Sequence, residues 1–159
     1  MSGTAWVFGD DIDTDALAPG LYMKAPIEEL ARHCLETVDP GFAAQVQPGD
    51  IVVGGRNFGL GSSREQAAQA LKVLGVAAVV AQSFAGIFFR NALNLGLPAL
   101  RCARAGEIPA GARLAVDAEA GTITIDGGPV LDCVPLPPHL LAMVRDGGLI
   151  PHLERKLGR

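Results

Sequence analysis

The sequence predicts an α/β fold: a mainly parallel central sheet flanked by helices, with a small antiparallel portion toward the C-terminus. Three observations carry this. Between residues 50 and 102, short β-branched runs alternate with segments of helical period. The joins between them are only a few residues long, as βαβ units require. After residue 105 the texture changes to brief strands separated by glycine turns.

Taken in order, "TAWVFG" reads as a first strand stopped at Gly9, followed by an acidic loop, "DDIDTDALAPG". "PIEELARHCLETV" places Ile27, Leu30, Ala31, Cys34, Leu35 and Val38 at helical spacing, with Pro26 ahead and "DPG" behind. "DIVVGG" is a buried-strand signal. Residues 62 to 74 read as a helix closed by Gly75. "VAAVVAQ" is the next strand, "FAGIFFRNALNLG" a helix closed by Gly96, and "LPALRC" a further strand. None of these strands alternates with polar residues, so both sheet faces are expected to be covered. "ARLAVDAEAGTITIDGGPVLDC" predicts antiparallel strands turning at "AEAG" and "DGG". "PPHLLAMVRDGGLIPHLERKL" predicts two terminal helices around a glycine turn.

At 159 residues the chain is expected to form a single domain, 1–159, large enough to bury a core without disulfides or metal. Its 49% hydrophobic and 19% charged content excludes a disordered chain. A net charge of −4 and the absence of a long basic run argue against nucleic acid as a partner. No apolar run reaches a membrane span and no secretory leader is visible, so the expected location is the cytoplasm. Cys34, Cys102 and Cys133 are widely spaced and form no C-x-x-C pair. They read as small apolar residues, and no metal site is expected in this chain.

The stretch "FGLGSSREQAAQAL", residues 58 to 71, raises the main question. Ser62 followed three positions later by Glu65 fits a capping box, which alone would explain both residues. Ser63 is a second hydroxyl that a cap does not need. Gly59 and Gly61 let the backbone turn tightly and bring bare amides close to a ligand. Arg64 opposes the dipole of the helix that follows unless an anion compensates, and its planar fork suits a carboxylate. The pattern is an anion cradle. It does not by itself separate phosphate from carboxylate, and it lacks the lysine and spacing of a P-loop.

In the acidic loop, Asp11, Asp13 and Asp15 have the odd-numbered spacing of a calcium loop, but Ala16 and Tyr22 stand where glycine and glutamate are needed. A solvated turn and a ligand-facing Thr14 and Asp15 are the remaining readings. Arg90 and Asn94 share a helix face, which reads as wet.

Together, "GDDIDTDALAPG", "GGRNFGLGSSREQAAQALKVLGVAAVVAQSFAGIFFRNALNLGLP" and the late "GGL" resemble the aconitase family, and within it the stand-alone small subunits of isopropylmalate-type dehydratases. The resemblance runs from residue 6 to about 150. It implies a swivelling β/β/α domain that closes over a large subunit carrying a [4Fe–4S] cluster, whose iron acts as a Lewis acid on the substrate. It implies that Ser62 is the base taking a proton from carbon, that Ser63 and Arg64 hold a substrate carboxylate, and that Thr14 and Asp15, with Gly59 and Gly61, line the same site. The resemblance also makes Tyr22, Met23 and Lys24 the segment that reads the substrate's variable group. Isopropylmalate, homoaconitate, citramalate and dimethylmalate are the acids such relatives handle. Leu60 departs from the cysteine that relatives often place between the two glycines. A serine hydroxyl is a base only where amides and a cation stabilise its anion in a dry site. A cluster needs thiolate ligands that scattered cysteines cannot supply, so the cofactor is expected in the partner. A non-catalytic anion-binding module is the reading from another class.

Overall fold

The computed structural model describes residues 1–158. Seven strands form one mixed sheet in the order β4-β3-β2-β1-β5-β6-β7. Strands β1 (Ser2–Val7), β2 (Ile51–Gly54), β3 (Ala78–Ala81) and β4 (Ala99–Arg101) run parallel. Strands β5 (Arg113–Asp117), β6 (Thr122–Ile125) and β7 (Val130–Asp132) continue the sheet antiparallel from β1. Every residue of β2 and β3 is buried, which is why neither alternates. β5 does alternate, with Leu114 and Val116 inward and Arg113, Ala115 and Asp117 outward.

The helices are α1 (Thr14–Leu17), α2 (Ile27–Ala31), α3 (Phe42–Gln45), α4 (Gln66–Val73), α5 (Gly86–Asn94), α6 (Pro138–Arg145) and α7 (Leu149–Lys156). Gly75 and Gly96 close α4 and α5 at φ +86° and +78°. Phe42 sits edge-on to Trp6 and Phe8, with ring centroids 5.3 and 5.5 Å away. At the N-terminal ends of the parallel strands, buried Asp50 accepts bonds from the Thr4 and Gln47 amides and from Trp6 Nε1.

Two helices are shorter than their sequence pattern predicts. The expected helix through Val38 ends at Ala31, and turns follow. Leu35 is fully buried at φ +61°, and its amide donates to Ala16 O at 2.8 Å, so a tertiary bond replaces the helical one. The helix expected from Ser62 begins at Gln66. Gly61, at φ +112°, turns the chain, and the Arg64 amide closes on Ser62 O at 2.8 Å. Glu65 occupies the cap position and makes no side-chain cap bond. The capping box is therefore not formed, and Ser62 is relieved of a structural role at the helix end.

The segment that leaves β7 comes back to the end of β4 at the sheet's other edge. The Val134 amide, just after β7, donates to Arg101 O of β4 at 2.8 Å. The bond places Cys102, next after β4, beside Cys133, next after β7. Cys102 Sγ lies 3.7 Å from Asp132 O. Widely spaced in sequence, these two cysteines are neighbours in space. The two neighbouring thiols cannot both ionise, which lowers Cys102 to about 7 and raises Cys133. Cys34 is the inert apolar residue expected, its thiol pushed up by complete burial.

Candidate functional site

Three loops leave the C-terminal ends of β1, β2 and β3 and are stitched to one another, the position where open parallel sheets place ligands. The Gly55 amide donates to Gly9 O, the Gln82 amide to Gly55 O, and the Phe58 amide to Ser83 O. Asn57 lies at φ +60°, with its amide on Ser83 Oγ at 2.9 Å and its Nδ2 on Asp11 Oδ1 at 3.0 Å. Neither Asn57 nor Ser83 stood out from sequence. The signal was available in Asn57, since asparagine tolerates the left-handed region.

The glycine loop is fixed from below. The Gly59 amide donates to Ile12 O at 2.6 Å, and the Thr14 amide to Leu60 O at 2.8 Å. Gly59 has φ +84°, and a Cβ there would stand 2.3 Å from Phe88 Cβ. A Cβ on Gly61 would press Thr14 Oγ1 at 2.9 Å. The two glycines are thus required by close approach to α5 and α1, and Thr14 is buried at that contact. Ser62 and Ser63 stand exposed on the turn above.

Arg64 is already partnered. Its Nη1 donates to Asp15 Oδ1 and to Ala18 O, both at 2.9 Å. The same Asp15 oxygen accepts the Gly20 amide at 3.0 Å. Arg64 and the Gly20 amide hold the Asp15 carboxyl below its usual range. The compensating anion that Arg64 called for in sequence is therefore Asp15, supplied by this chain. A guanidinium has five N–H donors, so Arg64 keeps others for a ligand.

The remaining aspartates diverge rather than converge. Asp13 Oδ1 caps α1 at the Ala16 amide, 2.7 Å; Asp10 accepts from Arg56; Asp11 accepts from Asn57. Among the described residues no three metal-ligating side chains gather. The loop from Gly20 begins as a 3-10 turn, Gly20–Tyr22. Leu21 is 84% exposed, Tyr22 and Met23 pack partly against the core, and Lys24 is exposed. Thr14, Asp15, Gly59, Gly61 and Arg64 are brought together. Met23 and Lys24 lie on the adjoining loop. Arg90 and Asn94 are exposed on α5.

Comparison with known proteins bears on the fold and the family. The family model described as the aconitase C-terminal domain matches residues 15–105. The small subunit of 3-isopropylmalate dehydratase from Syntrophus aciditrophicus is 46% identical, over 98% of this chain and 97% of the relative. That of Moorella thermoacetica is 48% identical over 99% and 96%. The isopropylmalate/citramalate isomerase small subunit of Methanocaldococcus jannaschii is 44% identical over 99% and 95%. A crystal structure of 3-isopropylmalate dehydratase from Methanocaldococcus jannaschii superposes with a TM-score of 0.93 at 40% identity, covering 98% of this chain and 94% of that one. On its fold and its near full-length match, the chain belongs to the aconitase C-terminal domain family, among the small subunits of 3-isopropylmalate dehydratases.

Proposed function

We propose that this chain is the small subunit of a cytoplasmic hydro-lyase that interconverts 2- and 3-isopropylmalate by dehydration and rehydration, acting with a large subunit. The reading rests on one observation above the others. Two exposed serines stand on a glycine turn at the sheet's C-terminal edge, beside an arginine whose orientation Asp15 fixes. Arg64 grips a substrate carboxylate with the N–H groups that Asp15 and Ala18 leave over. Ser63 adds a hydroxyl to the same carboxylate. Ser62, free of any cap, takes the proton from the substrate carbon, with nearby amides and the Arg64 cation favouring its anionic form.

A [4Fe–4S] cluster, bound by the partner, supplies Lewis acidity toward the departing hydroxyl. This chain's own donor set does not fit a cluster: Cys34 is enclosed in the core, and no three ligands gather among the described residues. The relative named for both isopropylmalate and citramalate keeps citramalate as the second substrate to be tried. Co-expression with a cluster-bearing large subunit and assay of isopropylmalate, citramalate, dimethylmalate and homocitrate tests the reading. Turnover of isopropylmalate that is lost on Ser62→Ala is the expected result. A chain that never forms the complex, or a complex inert on all four acids, overturns it in favour of an anion-binding module.

A further inference from the structure

The loop beginning at Gly20 lies against the cradle. A Cβ on Gly20 would be 3.4 Å from Asp15 Oδ1 and 3.9 Å from Arg64 Nη2. Its first residue is held by Asp15, but the hold on its middle is of a different kind. The Tyr22 ring lies flat on the imidazole of His33, with centroids 3.6 Å apart and planes 4° from parallel. His33 is itself oriented, its Nδ1 being 2.7 Å from Glu36 Oε2. The turn carrying both residues is pinned to α1 by the Leu35 amide on Ala16 O at 2.8 Å. A chain of contacts therefore runs from α1 through Leu35 and His33 to Tyr22. Beyond Tyr22 come Met23, half-buried, and Lys24, exposed.

We propose that His33 is a positioning residue for substrate discrimination. Its stack fixes Tyr22, and Tyr22 fixes the height at which Met23 and Lys24 stand beside the cradle. The ligand feature read there is the side group of a hydroxy-diacid whose carboxylate Arg64 holds, and this rests on the preceding functional reading. His33 touches no reacting atom. Glu36 sets the plane of its ring. The stacked face, rather than the imidazole nitrogens, carries the effect on Tyr22.

The test uses the complete two-subunit enzyme with isopropylmalate and citramalate. His33→Leu fills the site without a flat face, and His33→Phe restores one. His33→Leu should change the ratio of the two KM values by about fivefold, the size of one stacked aromatic pair, with kcat little altered. His33→Phe, which keeps a flat face but lacks the bond to Glu36, should return the ratio most of the way to that of the wild type. An unchanged ratio in His33→Leu, or a Phe variant no better than Leu, overturns the proposal. Tyr22 is the chain's one tyrosine, so its ring-proton NMR shifts report the stack without ambiguity. They should move toward unstacked values in Leu and not in Phe. If the wild-type complex turns over neither acid, the dehydratase reading fails separately. Amide exchange at Met23 and Lys24 then decides: faster exchange in Leu than in Phe supports the positioning role, and equal exchange overturns it.

Discussion

Arg64 Nη1 and Asp15 Oδ1 meet at 2.9 Å across 49 positions of sequence, and the same carboxylate oxygen also receives the Gly20 amide. One aspartate thus sets both the cation of the cradle and the start of the neighbouring loop. Asp15→Asn should raise KM about tenfold, since contacting groups in one network couple by amounts of this order. It should leave unfolding nearly unchanged, because Asp15 is exposed. Steady-state kinetics beside a thermal melt checks both. Because the folded state lowers this carboxyl, the small, solvent-screened stability that the ion pair adds is present above the ordinary carboxylate range. It is lost as pH falls through the lowered value.

Ser62→Ala should cut turnover by about a thousandfold, the size expected for loss of a positioned base. Stability should change by less than about 0.5 kcal/mol, as at an exposed position with no cap to lose. A chemical denaturation curve for the variant checks the second half. A loss near 1 kcal/mol would mean the hydroxyl caps α4 after all.

Gly59→Ala should destabilise by about 3 kcal/mol, because the new methyl meets Phe88 in a backbone region that alanine avoids. Gly127, also at positive φ but with open space around it, is the control. Gly127→Ala should cost about 1 kcal/mol from backbone conformation alone. Urea midpoints for the two variants separate crowding from conformation.

Asp50→Ala should cost about 3 kcal/mol, since it strands the Trp6 indole N–H and two amides. Asp50→Asn should cost less, because its remaining carbonyl still accepts. Trp6 is the chain's one tryptophan, so its fluorescence follows the loss directly.

Cys133→Ala removes the thiol neighbouring Cys102. The thiolate step of Cys102, lowered to about 7 in the intact pair, should move upward in the variant. Ultraviolet titration of the thiolate in a Cys34→Ala background measures the shift.

Much of this architecture could be read from residue order. The β-branched runs at Ile51–Gly54 and Ala78–Ala81, with Gly75 and Gly96 closing helices, define the parallel half without outside information. The glycine loop and its arginine were legible because those residue types conflict with a plain helix start. What sequence could not give were features made by partners far along the chain. Leu35 leaves the helix only because Ala16 O waits there. Ser62 fails to cap only because Gly61 turns away to clear Thr14. The bond from Asp15 to Arg64 and the pairing of Cys102 with Cys133 belong to the same class, invisible to local spacing.

The meeting of Arg101 with Val134 has a consequence for how this chain can associate. Where the segment after β7 bonds to the end of β4, Pro135 and Pro137 follow directly and offer no N–H of their own. That boundary gives a foreign strand little backbone to zip onto. Association at that boundary is thereby left to side chains rather than to the addition of a strand.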